Sequence, residues 1–466
     1  MRIRHVLFGV YFLTILPISS GQSKYWIGNE AANLHTQILN QSPIKCSKWL
    51  KSCSYELSEE QLVSLTRLGV EVSPVLTFAP LYHPFKKPTL GFALEQVGAE
   101  KFLEMGLTGK GVKIGIIDGG YLGADKNEAL KMFFDRKQVR YYKDYITPNL
   151  VEYGGLSGLD DNHGTEVWQL IGGYNASKDI LYGLATEATY YLARTDHGGY
   201  EKKIEEDYLI QALESMASMD IRLVNISLGY NLGFNNIEDN YQPTEMDGTS
   251  KLAQAVNFAA EKKGILVVVS AGNEGNLEWQ TLSTPGDAQY ALTVGASKLN
   301  VWDKMDYSSI GPDYIDYIKP DIAVYSTLGT SYSAPIVTGM AACLMQMDST
   351  LTNFEIIDLF KKAGNFYPYP NNYLGYGVPT CKELMKVYDQ EPRDSPETRQ
   401  VHKKTTIIPV PKSTKYVVAF HKRDSRIVLS QEVFRSPGKK VKIKRPEGVS
   451  QTSVLLGHDI VEIFWK

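Results

Sequence analysis

The sequence predicts an α/β protein. Its main domain is a mostly parallel sheet covered by helices on both faces, with a small segment before it and a small all-β module after it. Between residues 90 and 389, apolar runs typical of buried parallel strands alternate with amphipathic helical patterns. Beyond about residue 405, only short strand-like segments follow. The 466 residues, 43% of them hydrophobic and 22% charged, suffice for two or three domains with packed cores.

Residues 1–21 have the pattern of a secretory signal peptide. Arg2 and Arg4 precede a short apolar run over residues 6–18, and small residues follow that run. The run is shorter than the roughly 20 residues that a membrane span needs and contains Pro17, although a retained anchor or a buried helix is the alternative. We therefore expect a secreted or periplasmic protein with no integral membrane span in the mature chain.

Residues 22–89 form a small N-terminal segment. A capping box from Ser58 to Gln61 predicts the start of a short helix. Cys46 and Cys53 are close enough in sequence to pair, but the connectivity of the four cysteines does not follow from their positions. No cysteine lies beside a histidine or another cysteine at metal-ligand spacing, so we expect no zinc site.

Residues 90–389 carry the elements of the central domain. Five apolar runs are predicted as buried strands, at residues 112–117, 188–193, 223–227, 265–270 and 291–294. Four amphipathic patterns are predicted as helices, at residues 165–171, 208–219, 249–263 and 331–347. Ligands of such sheets bind where the parallel strands end, and Asp118 and Ser227 both fall there.

The C-terminal part begins with a polar, proline-containing stretch at residues 390–405, which we interpret as a linker. Short strand patterns over residues 406–466 predict a small all-β module. In its basic run at residues 439–445, lysines alternate with apolar residues, as on the solvated face of an edge strand. With a formal net charge of −3, the chain gives no reason to expect nucleic acid as a partner.

Three short segments carry the chemistry, in the order Asp, His, Ser. They are GIIDGG at 115–120, NHGT at 162–165 and GTSYSAP at 329–335. A serine hydroxyl becomes a nucleophile when an imidazole takes its proton, and the imidazole needs a carboxylate that fixes its tautomer. Asp118 ends a predicted strand, His163 precedes a predicted helix and Ser331 begins one, where helix N–H groups face a reacting carbonyl.

Simpler interpretations exist for each residue: a turn aspartate, a core histidine and a helix-capping serine. Two competing motifs are weaker. His197 lies in a glycine-rich stretch with no helix pattern directly after it, so we expect it in a solvated loop. The glycines at 109, 111 and 115 suggest a dinucleotide-binding loop, but they precede a strand or lie in it, whereas that fingerprint follows a strand.

From about residue 90 to 384, the motifs resemble the subtilisin-like serine protease family, the subtilases, which share this order of triad residues. The resemblance implies a secreted serine endopeptidase that hydrolyses polypeptides through an acyl-enzyme intermediate. It implies that Asp118, His163 and Ser331 form the triad and that the side chain of Asn273 contributes to the oxyanion hole. Many relatives carry a hydroxyl residue at position 119, where this chain has glycine.

The resemblance also implies a substrate-binding surface. Ser227, Leu228 and Gly229 resemble the strand edge that pairs with the backbone of an extended peptide by β-augmentation, although an ordinary strand end is the alternative. Ala271 and Gly272 are expected to bind substrate as well. Ser283, in a stretch that resembles a family segment near the first specificity pocket, would lie at the floor of that pocket, although a plain turn is the alternative. With Ser283 there, we expect a roomy, uncharged pocket and a preference for larger apolar residues before the cut.

The remaining expectations concern maturation and partners. The stretch at 91–96 resembles a mature N-terminus, so residues 22–89 would be a propeptide and the protein a zymogen, although this short segment could instead remain attached as a scaffold. We expect a monomer that requires no cofactor. Structural calcium is frequent in the family, and Asn175 and Asp179 have suitable chemistry, but no ligand set follows from the sequence. Two other classes of function compete: a catalytically silent subtilase-fold protein that binds peptides, and a surface-interaction protein that acts through its C-terminal module.

Overall fold

A computed structural model describes residues 23–43, 45–47, 51–74, 88–148, 151–154, 161–197, 201–392 and 395–466. The expected signal peptide at residues 1–21 lies outside them. The chain divides into two compact units, Met1–Lys87 and Pro88–Lys466, which are considered separately. Among the described residues, no helix combines the length and apolar character that crossing a bilayer requires.

The first unit is a four-stranded antiparallel sheet with three helices. Its strands are β1 Ser23–Gly28, β2 Lys45–Ser47, β3 Ser52–Leu57 and β4 Val72–Pro74, in the order β2-β3-β1-β4. Its helices are α1 Asn29–Leu34, α2 Thr36–Leu39 and α3 Glu59–Arg67. The predicted capping box of Ser58 and Gln61 opens α3. Cys46 and Cys53 face each other on β2 and β3 and form a disulfide.

The second unit contains all the predicted chemistry. Its strands before the C-terminal part are β5 Thr89–Leu90, β6 Lys113–Asp118, β7 Val139–Asp144, β8 Tyr174–Asn175, β9 Ile180–Leu181, β10 Thr189–Arg194, β11 Leu223–Ile226, β12 Leu266–Ser270, β13 Leu292–Ser297 and β14 Ile322–Tyr325. Seven of them form one sheet in the order β14-β13-β12-β11-β6-β10-β7. Every neighbouring pair in it is parallel, which confirms the predicted fold class.

Helices cover both faces of this sheet. They are α4 Phe92–Gln96, α5 Glu100–Glu104, α6 Lys131–Asp135, α7 His163–Gly172, α8 Ile204–Ser218, α9 Lys251–Lys263, α10 Ala334–Met347, α11 Asn353–Ala363 and α12 Cys381–Tyr388. Successive strand residues point to opposite faces. Leu266 and Val268 accordingly join the core beneath α7 and α10, whereas Val267 and Val269 join the core beneath α8 and α9. This explains why the central strands are apolar without interruption.

The helix α10 is the most enclosed helix among the described residues of the unit. Of its 14 residues, 12 are buried, so it is apolar on all sides rather than on one face. A Cβ on Gly339 would lie only 2.7 Å from the carbonyl oxygen of Ile171, so glycine permits α10 and α7 to touch. The serine motif at residues 329–335 therefore leads directly into a helix at the centre of the fold.

The C-terminal part is all-β, as predicted. Its strands are β15 Glu397–Val401, β16 Thr405–Pro409, β17 Tyr416–Lys422, β18 Val428–Arg435, β19 Lys440–Lys444, β20 Gln451–Leu456 and β21 Asp459–Trp465. Five of them form a sheet in the order β15-β21-β20-β17-β18, and β16 pairs with β19. One face packs on the α/β part, where Phe420 meets Phe366 edge-on with ring centroids 5.2 Å apart.

The interpretation of residues 390–405 as a linker is wrong for part of that stretch. Strand β15 lies within it and pairs in parallel with β21 from Glu397 to Val401. Its side chains are half-buried or exposed, so the stretch has no apolar period, and main-chain hydrogen bonds hold it to the neighbouring strand.

Candidate active site

Asp118 and His163 form a hydrogen-bonded pair at the carboxyl end of the sheet. Asp118 is the last residue of β6 and fully buried, and His163 is the first residue of α7. The Nδ1 of His163 lies 2.6 Å from Oδ1 of Asp118, which also accepts a 2.8 Å hydrogen bond from the Gly119 N–H. Because a carboxylate only accepts, Nδ1 carries the proton and Nε2 keeps the lone pair that a general base needs.

Glycines allow the histidine helix to approach the aspartate strand. A Cβ on Gly164 would lie 2.9 Å from the Cβ of Asp118, and a Cβ on Gly120 would lie 2.3 Å from the carbonyl oxygen of Asp161. The backbone N–H of Gly119 bonds the carboxylate at the position where the resemblance led us to expect a hydroxyl residue. The departure of this chain from the family pattern therefore still leaves Asp118 oriented.

Ser331 lies in a 3-10 turn, Thr330–Tyr332, that leads into α10. It is buried, and its Oγ donates a 3.1 Å hydrogen bond to the carbonyl oxygen of Ser227, just after β11. The Tyr332 ring lies 5.5 Å from the His163 ring, so the turn packs against the imidazole. The structure thus brings the Asp118–His163 pair and the serine turn together, with the serine hydroxyl bonded to the chain.

A buried polar chain behind Ser331 was not predicted. The Oγ of Ser227 donates to the Ser331 carbonyl at 2.9 Å and accepts from Nδ2 of Asn225 at 2.9 Å. The Oδ1 of Asn225 accepts from the Thr338 hydroxyl on α10 at 2.8 Å. The available signal was an asparagine inside the apolar run 223–227, since a buried amide needs partners.

Asn273 lies beside the serine turn, after β12. Its Oδ1 accepts the Thr330 N–H at 2.8 Å and lies 3.1 Å from the Thr330 hydroxyl. A Cβ on Gly329 would come within 3.4 Å of Oδ1 and 3.5 Å of Nδ2, so the amide packs on the backbone just before Ser331. With Oδ1 held by Thr330, Nδ2 is the end of the amide that remains as a donor.

The predicted substrate-binding segments flank Ser331. Ser227 bonds Ser331 directly, and the N–H of Gly272 donates to the Thr330 hydroxyl at 3.0 Å. Leu228 is half-buried, Gly229 is exposed and Ala271 is buried. Ser283 is buried next to both segments, because its N–H bonds the Ala271 carbonyl at 3.2 Å and its Cβ lies 2.8 Å from where a Cβ on Gly229 would be.

The expectation of an uncharged pocket at Ser283 is wrong. The Oε2 of Glu274 accepts hydrogen bonds from the Ser283 hydroxyl at 3.3 Å, the Ser309 hydroxyl at 3.0 Å and the Asn273 N–H at 2.7 Å. Glu274 follows Asn273 directly in the sequence, and its side chain turns back so that Oε2 lies beside Gly272. Ser309, 35 residues further on, supplies the contact that no local pattern reveals.

Four residues after Ser283, the carboxyl of Asp287 is fully buried. Its Oδ2 accepts the Gly248 N–H at 2.8 Å. Burial raises the pKa of Asp287 to about 6, against the lowering effect of that hydrogen bond.

Arg194 is a positioning residue that the sequence analysis missed. It ends β10, opposite Asp118 in the parallel register, and it is buried. Its guanidinium donates to the Gly119 carbonyl at 3.0 Å, to Asp144 at 3.1 Å and to Asp161 at 2.9 Å. One cation therefore links the turn after the aspartate to the segment that leads into the histidine helix. The sequence signal that could have identified it is its position, because Arg194 directly follows the apolar run at residues 188–193.

Tyr332 and Glu166 make a second unpredicted link. The Tyr332 hydroxyl donates to Oε2 of Glu166 at 2.5 Å, and Asn162 donates to Oε1 at 3.2 Å. Glu166 lies in the first turn of α7, three residues after His163. The residue after the serine is thus tied to the helix of the histidine, and its ring packs on the imidazole between them.

His197 does not lie in a solvated loop, as we had expected. Its side chain is largely buried and its Nδ1 bonds Oε1 of Glu205, which also accepts the His197 N–H at 3.1 Å. Carboxylate oxygens of Asp196, Glu201 and Glu205 lie within 4.8 Å of one another. The protein's own donors already fill Glu205, whose Oε2 accepts the Lys202 N–H at 3.0 Å, so this group gives no support to a metal site.

The loop considered for calcium is also held by its own hydrogen bonds. The Oδ1 of Asn175 accepts from the Ser177 hydroxyl at 2.8 Å and the Lys178 N–H at 3.0 Å. The Oδ1 of Asp179 accepts from the Tyr174 hydroxyl at 3.0 Å. These oxygens serve the turn itself, so a calcium ligand set remains unassigned.

Known proteins share this sequence pattern and fold. The Subtilase family matches residues 109–377. Subtilisin NAT from Bacillus subtilis subsp. natto is 26% identical over 302 residues, which cover 61% of this chain and 68% of that protein. Subtilisin from Bacillus pumilus is 26% identical over 303 residues, which cover 62% of this chain and 95% of that protein.

Among solved structures, the CspB protease of Clostridium perfringens has the same fold. It superimposes with a TM-score of 0.52 at 16% identity, over 64% of this chain and 99% of that chain. The family match covers more than half of the sequence, and residues 118, 163 and 331 lie within its range. This chain therefore belongs to the subtilase family and is a serine-type endopeptidase.

Proposed function

We propose that the protein is a secreted endopeptidase in which Asp118, His163 and Ser331 form the triad and Asn273 contributes to the oxyanion hole. The observation that carries the proposal is the 2.6 Å hydrogen bond between buried Asp118 and Nδ1 of His163, beside a serine that leads into a buried helix. The intact set of these residues favours catalysis over the alternative of a silent peptide-binding protein.

The proposed reaction follows from this arrangement. An extended peptide pairs with the Ser227–Gly229 segment. The Ser331 hydroxyl leaves the Ser227 carbonyl, its oxygen attacks the scissile carbonyl carbon, and its proton moves to Nε2 of His163. Asp118 stabilises the imidazolium, while Nδ2 of Asn273 and the Ser331 N–H donate to the oxyanion.

Collapse of this tetrahedral species breaks the carbon–nitrogen bond, and His163 gives its proton to the departing amine. Water then attacks the acyl-enzyme ester as His163 takes one of its protons. Collapse of this second tetrahedral species breaks the ester bond and releases the carboxylic acid, and His163 returns the proton to the Ser331 oxygen. The hydroxyl must change rotamer from its resting bond to Ser227, which is usual for catalytic hydrogen bonds before substrate binds.

Covalent labelling tests the nucleophile directly. A fluorophosphonate probe should label Ser331, and Ser331→Ala should abolish labelling and lower turnover of a peptide substrate by about 10⁶-fold. The matched control is Ser333→Ala, two residues away, whose hydroxyl instead bonds the Val324 carbonyl at 3.1 Å. Labelling that survives Ser331→Ala but not Ser333→Ala would refute the assignment.

The oxyanion role of Asn273 has its own test. Asn273→Ala should lower kcat by about 10²- to 10³-fold, because one donor to the developing oxyanion is lost. KM should change little, since the donor acts in the transition state. A change confined to KM would assign Asn273 to ground-state binding instead.

The proposal includes export and maturation. Residues 1–21 would be removed as a signal peptide, and residues 22–89 would serve as a propeptide before a catalytic domain at 90–389. The Cys46–Cys53 disulfide suits an oxidising compartment, and the first compact unit ends at Lys87. Mass spectrometry of the exported protein should find a new N-terminus near residue 21 or residue 90, whereas an intact residue 1 would contradict export by a cleaved signal peptide.

A further inference from the structure

A buried lysine ammonium gathers three main-chain carbonyl groups close to the proposed oxyanion hole. Lys304 follows β13 after a short loop and pairs with Ser297, the last residue of that strand. It is only 7% exposed. Its Nζ donates to the carbonyl oxygens of Met305 at 3.0 Å, Asp306 at 3.0 Å and Ser308 at 2.9 Å. Because an ammonium has three N–H groups and no acceptor, these carbonyls use all of its hydrogen-bonding capacity.

The loop of Asn273 lies directly on this lysine and its carbonyl groups. The N–H of Gly275, two residues after Asn273, donates to the Tyr307 carbonyl at 2.7 Å. A Cβ on Gly275 would lie 2.0 Å from the carbonyl oxygen of Ser308 and 3.0 Å from Nζ of Lys304. Glycine allows the two segments to approach this closely, so the loop follows the shape that the ammonium gives to its carbonyl groups.

Ser309 joins the same segment to the residues on either side of Asn273. Its N–H donates to the Gly272 carbonyl at 3.1 Å, and its Oγ accepts the Glu274 N–H at 3.1 Å. Main-chain groups before and after Asn273 are thus hydrogen-bonded to residues 305–309. The position of the Asn273 backbone therefore depends on the conformation of that segment.

The ammonium of Lys304 has no carboxylate partner within the part of the chain that the structure describes. Asp303 and Asp306, which belong to the same loop, are bonded to Lys298 instead, at 3.0 and 3.2 Å. The ring centroid of Tyr373 lies 5.8 Å from the Nζ of Lys304. The ammonium and the three carbonyl groups therefore hold one another in place, without a salt bridge.

The charge of this lysine is sensitive to pH. Burial lowers the pKa of Lys304 to about 8, with the like charge of Lys298 acting in the same direction and the carboxylates of Asp306 and Asp303 opposing it. The facing loop contributes the carboxylate of Glu274, which is bonded to serine hydroxyls. Once deprotonated, the amine has two N–H groups and can no longer serve three carbonyl groups.

We infer that Lys304 is a positioning residue for the oxyanion donor: its ammonium shapes residues 305–309, and these hold the loop from which Asn273 presents Nδ2. The inference rests on the proposed function, because it needs Nδ2 of Asn273 to bind the oxyanion. Loss of the ammonium, by mutation or by deprotonation, releases at least one carbonyl group and lets the segment shift. A displacement of about 1 Å can cost about 10²-fold in rate, so Lys304 acts on turnover without touching the substrate.

A double-mutant cycle on kcat tests this coupling. Lys304→Met keeps a stem of similar length but has no cation, so it should lower kcat by about 10- to 100-fold and change KM by no more than about 2-fold. In an Asn273→Ala background the same change should lower kcat by no more than about 2-fold, because no donor is left to misplace. The matched control is Lys319→Met. Lys319 is equally buried but bonds the Ala291 carbonyl and Asp321, so its loss should lower the melting temperature and leave kcat within about 2-fold.

The pH dependence of kcat gives a second readout that needs no Lys304 variant. The kcat of the wild-type enzyme should fall above about pH 8 along a single ionisation, because the ammonium is lost as pH rises through its pKa. Lys298→Met should move this fall to higher pH, since it removes a like charge and frees the carboxylates of Asp303 and Asp306 to favour the ammonium. Near-UV circular dichroism at each pH shows that the enzyme is still folded.

The outcomes separate this inference from the function on which it rests. A Ser331 that the fluorophosphonate probe does not label, or an Asn273→Ala variant with wild-type kcat, refutes the proposed function and the inference with it. With labelling and the Asn273 effect in place, an equal fall in kcat from Lys304→Met in both backgrounds overturns the inference alone, because Lys304 would then act on the fold as a whole. A kcat that stays constant from about pH 7 to about pH 10, or a fall that Lys298→Met leaves at the same pH, also overturns it.

Discussion

Replacing Arg194 by methionine should destabilise the catalytic domain strongly. The guanidinium is buried and makes three hydrogen bonds, two of them to the carboxylates of Asp144 and Asp161. Methionine has a comparable apolar volume but cannot donate, so two buried carboxylates would lose their cation. The third bond, to the carbonyl of Gly119, fixes the turn that follows Asp118.

The size of the effect follows from the burial of both carboxylates, which are at most 4% exposed in these ion pairs. Removing one partner of a buried ion pair costs about 3–5 kcal/mol, because the remaining charge is left without compensation. At about 2–4 °C per kcal/mol for a large domain, the melting temperature should fall by about 6–20 °C.

The measurement is thermal unfolding by circular dichroism in a Ser331→Ala background, which prevents autolysis. The matched control is Arg140→Met, an exposed arginine on the edge strand β7, which should change the free energy of unfolding by no more than about 0.5 kcal/mol. A double-mutant cycle with Asp161→Asn then isolates the pair. The two changes together should cost less than the sum of the single changes.

Two results would refute this reasoning. One is a melting temperature for Arg194→Met within about 2 °C of its Ser331→Ala parent. The other is strict additivity in the cycle with Asp161→Asn, which would mean that the two side chains do not stabilise each other.

Three further predictions follow from contacts elsewhere in the catalytic unit. Tyr332→Phe should lower kcat/KM by about 3- to 10-fold with little change in melting temperature. The exposed hydrogen bond to Glu166 orients the Tyr332 ring on the imidazole of His163 but adds little stability. Equal kcat/KM for the variant and the wild-type enzyme would contradict this. The pKa of Asp287 is about 6 in the folded state, against an ordinary value of 3.8, so the folded protein binds more protons between these pH values and loses stability as pH rises through them. Asp287→Asn should therefore increase the free energy of unfolding more at pH 8 than at pH 4.5, measured by urea titration. An equal increase at both pH values would refute this. Deleting residues 390–466 should lower the melting temperature and the soluble yield, because Phe420 and its neighbours cover apolar surface of the α/β part. A truncated protein with the melting temperature of the full chain would show that this shared core adds no stability.

The central sheet is predictable because its strands are apolar on both faces. The run Leu266–Ser270 has no polar interruption until its end, and only a strand between two helix layers needs such a pattern. Edge strands lack this signal. Strand β7, Val139–Asp144, has largely half-buried side chains, and β15 is held mainly through its backbone, so neither was predicted.

Asp118, His163 and Ser331 could be proposed from the sequence because each lies in a contiguous motif that also sets its local structure. The distant contacts that hold these three residues in place could not be predicted in the same way. Arg194 acts on a carbonyl 75 positions away, and Tyr332 bonds a carboxylate 166 positions away. Glu274 lies in a recognised motif, but the direction of its side chain depends on Ser309, which only the fold brings near.

The enclosure of α10 has a consequence for the newly made chain. The helix α10, which follows the turn of Ser331, is buried on all sides by segments distant in sequence. One of these contacts is the Leu107 carbonyl, which accepts a 3.5 Å hydrogen bond from Cys343. The neighbours of α10 include β11, β12, β13 and β14, so its packing needs most of the central sheet to be in place. On the proposed function, reactivity toward a covalent probe should therefore appear late in refolding, when the packing around α10 is complete, rather than at an early stage.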